Sequence, residues 1–245
     1  MSEDVHPRNN EFGQPVGEAV PAWSGSKFPT GELLEGRLCR LEQLDVGQHG
    51  DDLADAFALD AEGRLWTYMS SGPFATKAKL KDWIATASKG RDPLFYAVVE
   101  QASAKAVGIA SYMRIAPDAG SIEVGTIAYS PLLQRTSLAT EAMFLMMAHA
   151  FEILAYRRYE WKCDSLNAAS RKAAERYGFS YEGIFRQALV YKGRNRDTAW
   201  FSILDREWPF IKEAFVAWLD PQNFDPNGQQ KQKLADLISN LRGVD

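Results

Sequence analysis

Three apolar runs follow one another through the middle of the chain: L-F-Y-A-V-V at 94–99, A-V-G-I-A-S-Y-M-R-I at 106–115 and S-I-E-V-G-T-I-A-Y at 121–129. Each is rich in β-branched and aromatic residues, and only short polar turns, 101–105 and 117–120, separate them. This predicts three strands in an antiparallel meander. After Ser130-Pro131 a polar turn leads into a long apolar segment without Gly or Pro, starting near Ser137, which has the composition of a buried helix. Residues 158–163 then alternate Tyr159, Trp161 and Cys163 with charged side chains, a period-two strand. Because it is reached through a helical crossover, it should run parallel to the strand ending at Tyr129. Two final strands are expected at 179–191 and 198–204, joined by the loop 192–197.

Upstream, Leu34, Leu38, Cys39 and Leu41 suit a first strand over 34–41. A helix over 50–59 presents Leu53, Ala56 and Phe57 on one face, with Asp51 or Asp52 to cap it, and a second over 77–88 spaces Leu80, Trp83, Ile84 and Ala87 by three or four. Residues 1–30 carry four prolines and no periodicity, so they read as an extended arm; Phe12, Trp23 and Phe28 should pack it on the body or on a neighbouring subunit, which keeps a homodimer among the expectations. Residues 205–219 form an amphipathic helix, and the chain beyond Asp220 is polar with a short helix at 231–241. The expected organisation is an arm (1–30), one domain (31–220) and a polar tail (221–245).

Composition narrows the function classes. A net charge of −4 argues against a general nucleic-acid-binding surface, and no apolar run reaches the length of a membrane span. The polar start lacks the order of a secretion signal, so a cytoplasmic location is expected. Cys39 and Cys163 have neither metal-ligand spacing nor the density of a disulfide scaffold; buried free thiols and no metal follow. A GxxxxGK[ST] phosphate loop is absent, which disfavours a nucleotide-phosphate enzyme. The turn before the buried helix nevertheless suits a phosphate, because the first amides of a helix lack internal acceptors and carry the positive end of its dipole.

That turn, Gln134-Arg135-Thr136-Ser137-Leu138-Ala139, resembles the [Q/R]xxGx[G/A] acyl-CoA loop of the GNAT N-acetyltransferases, with Ser137 in place of the usual Gly. The following Ala139-Thr140-Glu141-Ala142 is similar to the helix start of the branch that includes the ribosomal-protein N-terminal acetyltransferases. Further on, Asp164-Ser165-Leu166-Asn167-Ala168-Ala169-Ser170-Arg171 through Gly178-Phe179 resembles the second signature, D-x-x-N-x-x-S, a helix and then G-F. Physically, Asn167 is an N-cap residue and Gly178 a left-handed stop, so a capped helix also accounts for that pattern.

The resemblance spans roughly 34–204. It implies an α/β GNAT acyl-CoA N-acyltransferase fold: a mixed, mostly antiparallel sheet flanked by helices, whose two central parallel strands splay to admit acetyl-CoA. It implies that Ile127, Ala128 and Tyr129 hold the pantetheine arm by their backbone, with an amide near Ile127 or Ala128 facing the thioester oxygen. Gln134, Arg135, Thr136, Ser137, Leu138, Ala139 and Thr140 would hold the diphosphate, and Asn167, Ser170 and Arg171 the rest of the cofactor. Ser170 also stands where some enzymes of the branch hold the acid that reprotonates the thiolate, since Ala174 replaces the Tyr common in the family. For the base that takes the proton of a primary amine acceptor, Glu123 leads; period two places it on one face with Gly125 and Ile127. Glu141 is explained by the helix dipole and His149 by core burial. Trp66, Tyr68, Phe74 and Tyr112 are candidate acceptor contacts, and the basic loop 192–197 overhangs the acceptor entrance, where it would attract an acidic acceptor or the cofactor's 3′-phosphate. A non-catalytic acyl-CoA-sensing module of the same fold is the alternative.

Overall fold

The computed structural model describes residues 8–243; the first seven residues of the expected arm and the last two of the expected tail lie outside the described residues. In chain order the elements are β1 (Arg8–Asn9), β2 (Pro15–Val16), β3 (Leu34–Glu35), β4 (Cys39–Gln43), α1 (Val46–Ala58), α2 (Lys77–Ala87), β5 (Leu94–Glu100), β6 (Ala106–Ala116), β7 (Ser121–Tyr129), α3 (Ser137–Ala148), β8 (Arg158–Asp164), α4 (Ala168–Arg176), β9 (Ser180–Tyr191), β10 (Arg194–Leu204), α5 (Trp208–Leu219) and α6 (Leu234–Arg242). One eight-stranded sheet runs in the order β3-β4-β5-β6-β7-β8-β10-β9. The meander β5-β6-β7 is antiparallel, and β7 and β8, joined through α3, are parallel, as the apolar pattern predicts.

Both sheet faces are covered. On one, Tyr112, Ile122, Val124, Tyr159, Trp161 and Phe201 pack with α3, α5 and α6. On the other, Phe95, Ala97, Val99, Ile109 and Ala128 pack under α1 and α2. Leu234 and Ile238 of α6 are buried in the first cluster, so part of the segment expected as a polar tail is drawn into the body. The arm also lies on the body. Trp23 Nε1 donates to the Asp118 carbonyl (2.8 Å), the Lys27 amide to Leu154 (2.8 Å), and Arg91 sits over the Phe28 ring.

Several boundaries differ from the sequence expectation, each for a local reason. The first strand is broken into β3 and β4, which pair as a hairpin. The turn between them is held by the buried Glu141 carboxylate, which accepts the amides of Arg37 (3.2 Å), Leu38 (2.6 Å) and Cys39 (2.8 Å). Glu141 is therefore a backbone anchor, not a first-turn dipole residue. Helix α1 starts at Val46, because Asp45 and not Asp51 or Asp52 caps it, accepting the Gln48 amide at 2.8 Å. The loop 192–197 shrinks to the two residues Lys192 and Gly193, both at positive φ (48° and 70°), as a tight hairpin turn of the primed type requires. Cys39 and Cys163 are buried free thiols, with the Cys39 thiol pushed far up by burial.

His149 closes the core beneath the arm. Its Nδ1 lies 3.3 Å from the Tyr112 hydroxyl, which donates to the Met146 carbonyl (2.7 Å), and its Nε2 lies 3.7 Å from Glu32. Burial lowers the imidazole pKa, and Glu32 opposes this only in part. A histidine whose folded pKa lies below its unfolded value favours the native state fully above about pH 6.5, and that contribution is lost as pH falls through the lower folded value. The melting temperature should therefore fall between pH 7 and 5, and His149→Gln should flatten that slope. Glu141→Ala, which leaves three amides without their acceptor, should cost about 3 kcal/mol or more in a denaturant titration, whereas Glu141→Gln should cost less.

Candidate active site

The site is built where β7 and β8 part. Their parallel pairing covers only Ser121↔Arg158 through Val124↔Trp161. Beyond that point β7 continues with Gly125 to Tyr129 paired to β6 alone, and β8 continues with Lys162 to Asp164 paired to β10 alone. The cause is a bulge in β7: Ser111 pairs with Gly125 and Ile109 with Ala128, so one β6 residue faces two of β7, and Thr126 there adopts φ 47°. The extra residue also breaks the period of two. Ile127 packs with Ile122 and Val124 on the α3 side, whereas Ala128 packs under α1. The expectation that Ile127 shares a face with Glu123 and Gly125 is thus corrected: Glu123 and Gly125 remain together, and Ile127 is turned to the opposite face.

The phosphate turn lies at the end of this gap. Thr136 caps α3, its Oγ1 accepting the Ala139 amide (3.1 Å) and donating to the Leu133 carbonyl (2.7 Å). Among the described residues, the backbone amides of Arg135, Thr136, Ser137 and Leu138 have no protein acceptor. Arg135, at φ 62°, turns the chain so that they follow one another at the helix start. The site expected from sequence narrows accordingly: the Ala139 amide is spent on the cap, and the buried Thr140 hydroxyl accepts from Arg176 (3.2 Å). Gln134 Nε2 donates to the Tyr129 carbonyl (2.7 Å), so that carbonyl is committed to the turn. Asn167 Oδ1 caps α4 by accepting the Ser170 amide (3.1 Å), which leaves its amide nitrogen to donate. Ser170 Oγ accepts from Trp161 Nε1 (2.9 Å) and also bonds the Cys163 thiol, and Arg171 donates to the Ser165 carbonyl (3.3 Å).

The opposite face of the gap is floored by charge. Glu123 is 2 % exposed and lies 2.6 Å from Arg114 Nη1 and 3.1 Å from Lys162 Nζ. Burial raises its pKa, and the two cations pull it back only in part. Gly125 is beside it: a Cβ there would meet Met113 Sδ at 2.3 Å and Glu123 Oε1 at 3.3 Å, so a larger residue would displace the Met113 side chain. Trp200, opposite Lys162 on β10, carries a buried indole N–H that has no acceptor among the described residues. Period-two strand patterns signal only that such residues alternate, and neither Lys162 nor Trp200 was legible as part of the site.

A roof of main chain, residues 66–71, is tied to other parts of the site at three places. Tyr68 donates to the Leu166 carbonyl (3.3 Å), Lys192 to the carbonyls of Trp66 (2.7 Å) and Ser71 (3.0 Å), and Arg194 to that of Thr67 (2.6 Å). Two basic residues expected to attract an acidic ligand are therefore engaged in pinning backbone. Of the four aromatic acceptor candidates, three are corrected. Trp66 packs edge-on against Phe57, Phe74 and Trp83 in the core under α1 and α2, Phe74 packs in that same cluster, and Tyr112 is buried on the α3 face. Only Tyr68 is drawn toward the gap. Among the described residues no group of His, Cys, Asp and Glu could hold a metal, and no helix is long and apolar enough to cross a membrane.

The comparisons with known proteins give the family of this sheet, in which two parallel strands separate beside a helix-start turn. Residues 48–180 match the acetyltransferase (GNAT) domain, so the chain belongs to the GNAT acetyltransferase family. It is similar to a GCN5-related N-acetyltransferase from Brucella melitensis at 49 % identity and a TM-score of 0.87, over 89 % of this chain and 98 % of that one. A GNAT-family protein from Chromobacterium violaceum is 40 % identical, with a TM-score of 0.74, over 80 % and 98 %. The "Putative ribosomal N-acetyltransferase YdaF" of Bacillus subtilis is 35 % identical over 71 residues, which are 29 % of this chain and 39 % of that relative's length.

If the roof is held as described, Lys192→Ala should speed amide hydrogen exchange across residues 64–74 and leave α3 and α4 unchanged, as mass-spectrometric exchange would show.

Proposed function

We propose that the protein transfers an acetyl group from acetyl-CoA to a primary amine by direct attack, the amine being a protein N-terminus or a small amino compound. The observation that carries this reading is the gap after Val124 and Trp161, with free amides at one end and a buried carboxylate on its far face. The relation to YdaF, whose name refers to ribosomal N-acetylation, supports the protein-N-terminus class.

The residues present suit acetyl-CoA. Amides of Arg135 to Leu138 would receive the diphosphate, the unpaired edges of β7 and β8 the pantetheine arm, and Asn167 Nδ2 would donate to that arm. When bound, acetyl-CoA supplies an activated acyl carbon and a thiolate leaving group. At the bulge, an amide of Ile127 or Ala128 would donate to the oxygen on which charge develops. Glu123 takes the proton that the ammonium must lose before or during attack, as the C–N bond forms and the C–S bond breaks. The Ser170 hydroxyl would return a proton to sulfur. A thiol pKa of about 8.5 already makes the thiolate a fair leaving group, so its effect is modest.

Calorimetry with CoA, followed by thiol release from acetyl-CoA in the presence of an amine and peptide panel, tests the proposal. Expected are CoA binding that weakens about tenfold or more in Asn167→Ala, and a kcat that falls about 10²- to 10⁴-fold in Glu123→Gln with CoA affinity kept. CoA binding without thiol release on any amine would instead identify an acyl-CoA-sensing module.

A further inference from the structure

We propose that Lys162 is a positioning residue for Glu123, keeping that carboxylate ionised and fixed at the mouth of the strand gap; the inference rests on the acetyl-transfer reading of the same face. In the parallel register Glu123 stands directly opposite Glu160, so two carboxylates face each other across neighbouring strands, one 2 % and the other 8 % exposed. Like charges so placed repel, and burial makes the repulsion larger. Lys162 resolves it. Its ammonium lies 3.1 Å from Glu123 and 2.6 Å from Glu160, and 3.7 Å from the centroid of the Trp200 ring, with its side chain only 5 % exposed.

The other charged groups around the pair are less able to do this. Arg114, on β6, reaches Glu123 but is half exposed, so solvent screens it. Arg158 serves Glu160 (2.7 Å) and is shared with Glu182 of β9 (2.6 Å). Lys162 is thus the one buried cation touching both carboxylates among the described residues. It is also the first β8 residue past the last β7 pair, so the ion pair is formed where the strands divide. Trp200 offers the ammonium a π face instead of a third hydrogen-bond acceptor, which leaves its strongest bonds to the two glutamates. Without Lys162, one of two opposed buried carboxylates must take up a proton. Glu160 keeps Arg158, whose side chain is 27 % exposed, whereas Glu123 keeps only Arg114, 50 % exposed and more fully screened, so the proton goes to Glu123, and a protonated Glu123 has no means of accepting the proton of the amine.

The experiment is a carbon-detected NMR titration of the Glu123 carboxyl, assigned with Glu123→Gln, in the full chain and in Lys162→Met, alongside the pH dependence of kcat/KM. The Glu123 midpoint should climb by about one to three units in Lys162→Met, with the acid limb of the rate profile moving by the same amount and CoA affinity unchanged. Lys162→Arg should restore the midpoint even where the rate stays low. Glu160→Gln, which removes the opposing charge and keeps the lysine, should move the midpoint down, and it serves where Lys162→Met does not fold. A midpoint unmoved in Lys162→Met, or unmoved in Glu160→Gln, overturns the proposal. Because the titration needs no turnover, a midpoint that moves in a protein without transferase activity upholds the coupling and rejects only the acetyl-transfer reading.

Discussion

One surplus residue in β7 governs the site. Where Thr126 bulges, the strand can no longer keep both neighbours in register; it stays with β6 and lets β8 go. In a continuous sheet the backbone groups of Gly125 to Ala128 on the β8 side would be satisfied by a strand, but here β8 does not pair with them. Unpaired amide and carbonyl groups away from water are expensive unless something pairs with them, and an extended pantetheine chain bearing its own amides is a suitable complement. The helix-start turn extends the same logic, with four successive amides lacking acceptors.

The two sides of the gap are made by different means. The α3 side uses backbone: the cap at Thr136, the Gln134 tie to Tyr129, and the Asn167 cap of α4 shape main chain for a cofactor. The other side uses side-chain charge, with Glu123, Lys162, Glu160 and Arg114 assembled from three adjacent strands. A chemistry that joins a common donor to a variable amine suits this division. On the proposed reading the donor would be met by amides that any sequence can present, and the acceptor by particular residues.

Much of the fold was legible in the chain. Strand and helix order and the parallel crossover follow from periodicity and from Gly and Pro placement, because these act locally, while the signature turns were visible only through the family resemblance. What sequence could not show were features set by distant partners. Glu141 looked like a dipole residue because its acceptor role depends on the β3–β4 turn about a hundred residues away. Trp66, Phe74 and Tyr112 looked available for an acceptor because aromatic residues near a site and in a core have the same pattern; packing decided. The period-two rule placed Glu123 correctly with Gly125 but failed at Ile127, where the bulge adds a residue that no propensity marks. Lys162 was only one of the charged residues alternating along its strand and Lys192 part of a basic loop, yet one is buried against two carboxylates and the other is bonded to main-chain carbonyls.

The roof formed by residues 66–71 has a consequence of its own. It is held by the tip of the β9–β10 hairpin and by Tyr68, none of which takes part in the charged floor or the free amides. Roof and floor are thus mechanically separate, so relatives of this chain could diversify the hairpin tip and remodel the entrance for differently sized amines while the bond-forming parts stay untouched. In such a layout, selectivity and chemistry are free to drift independently.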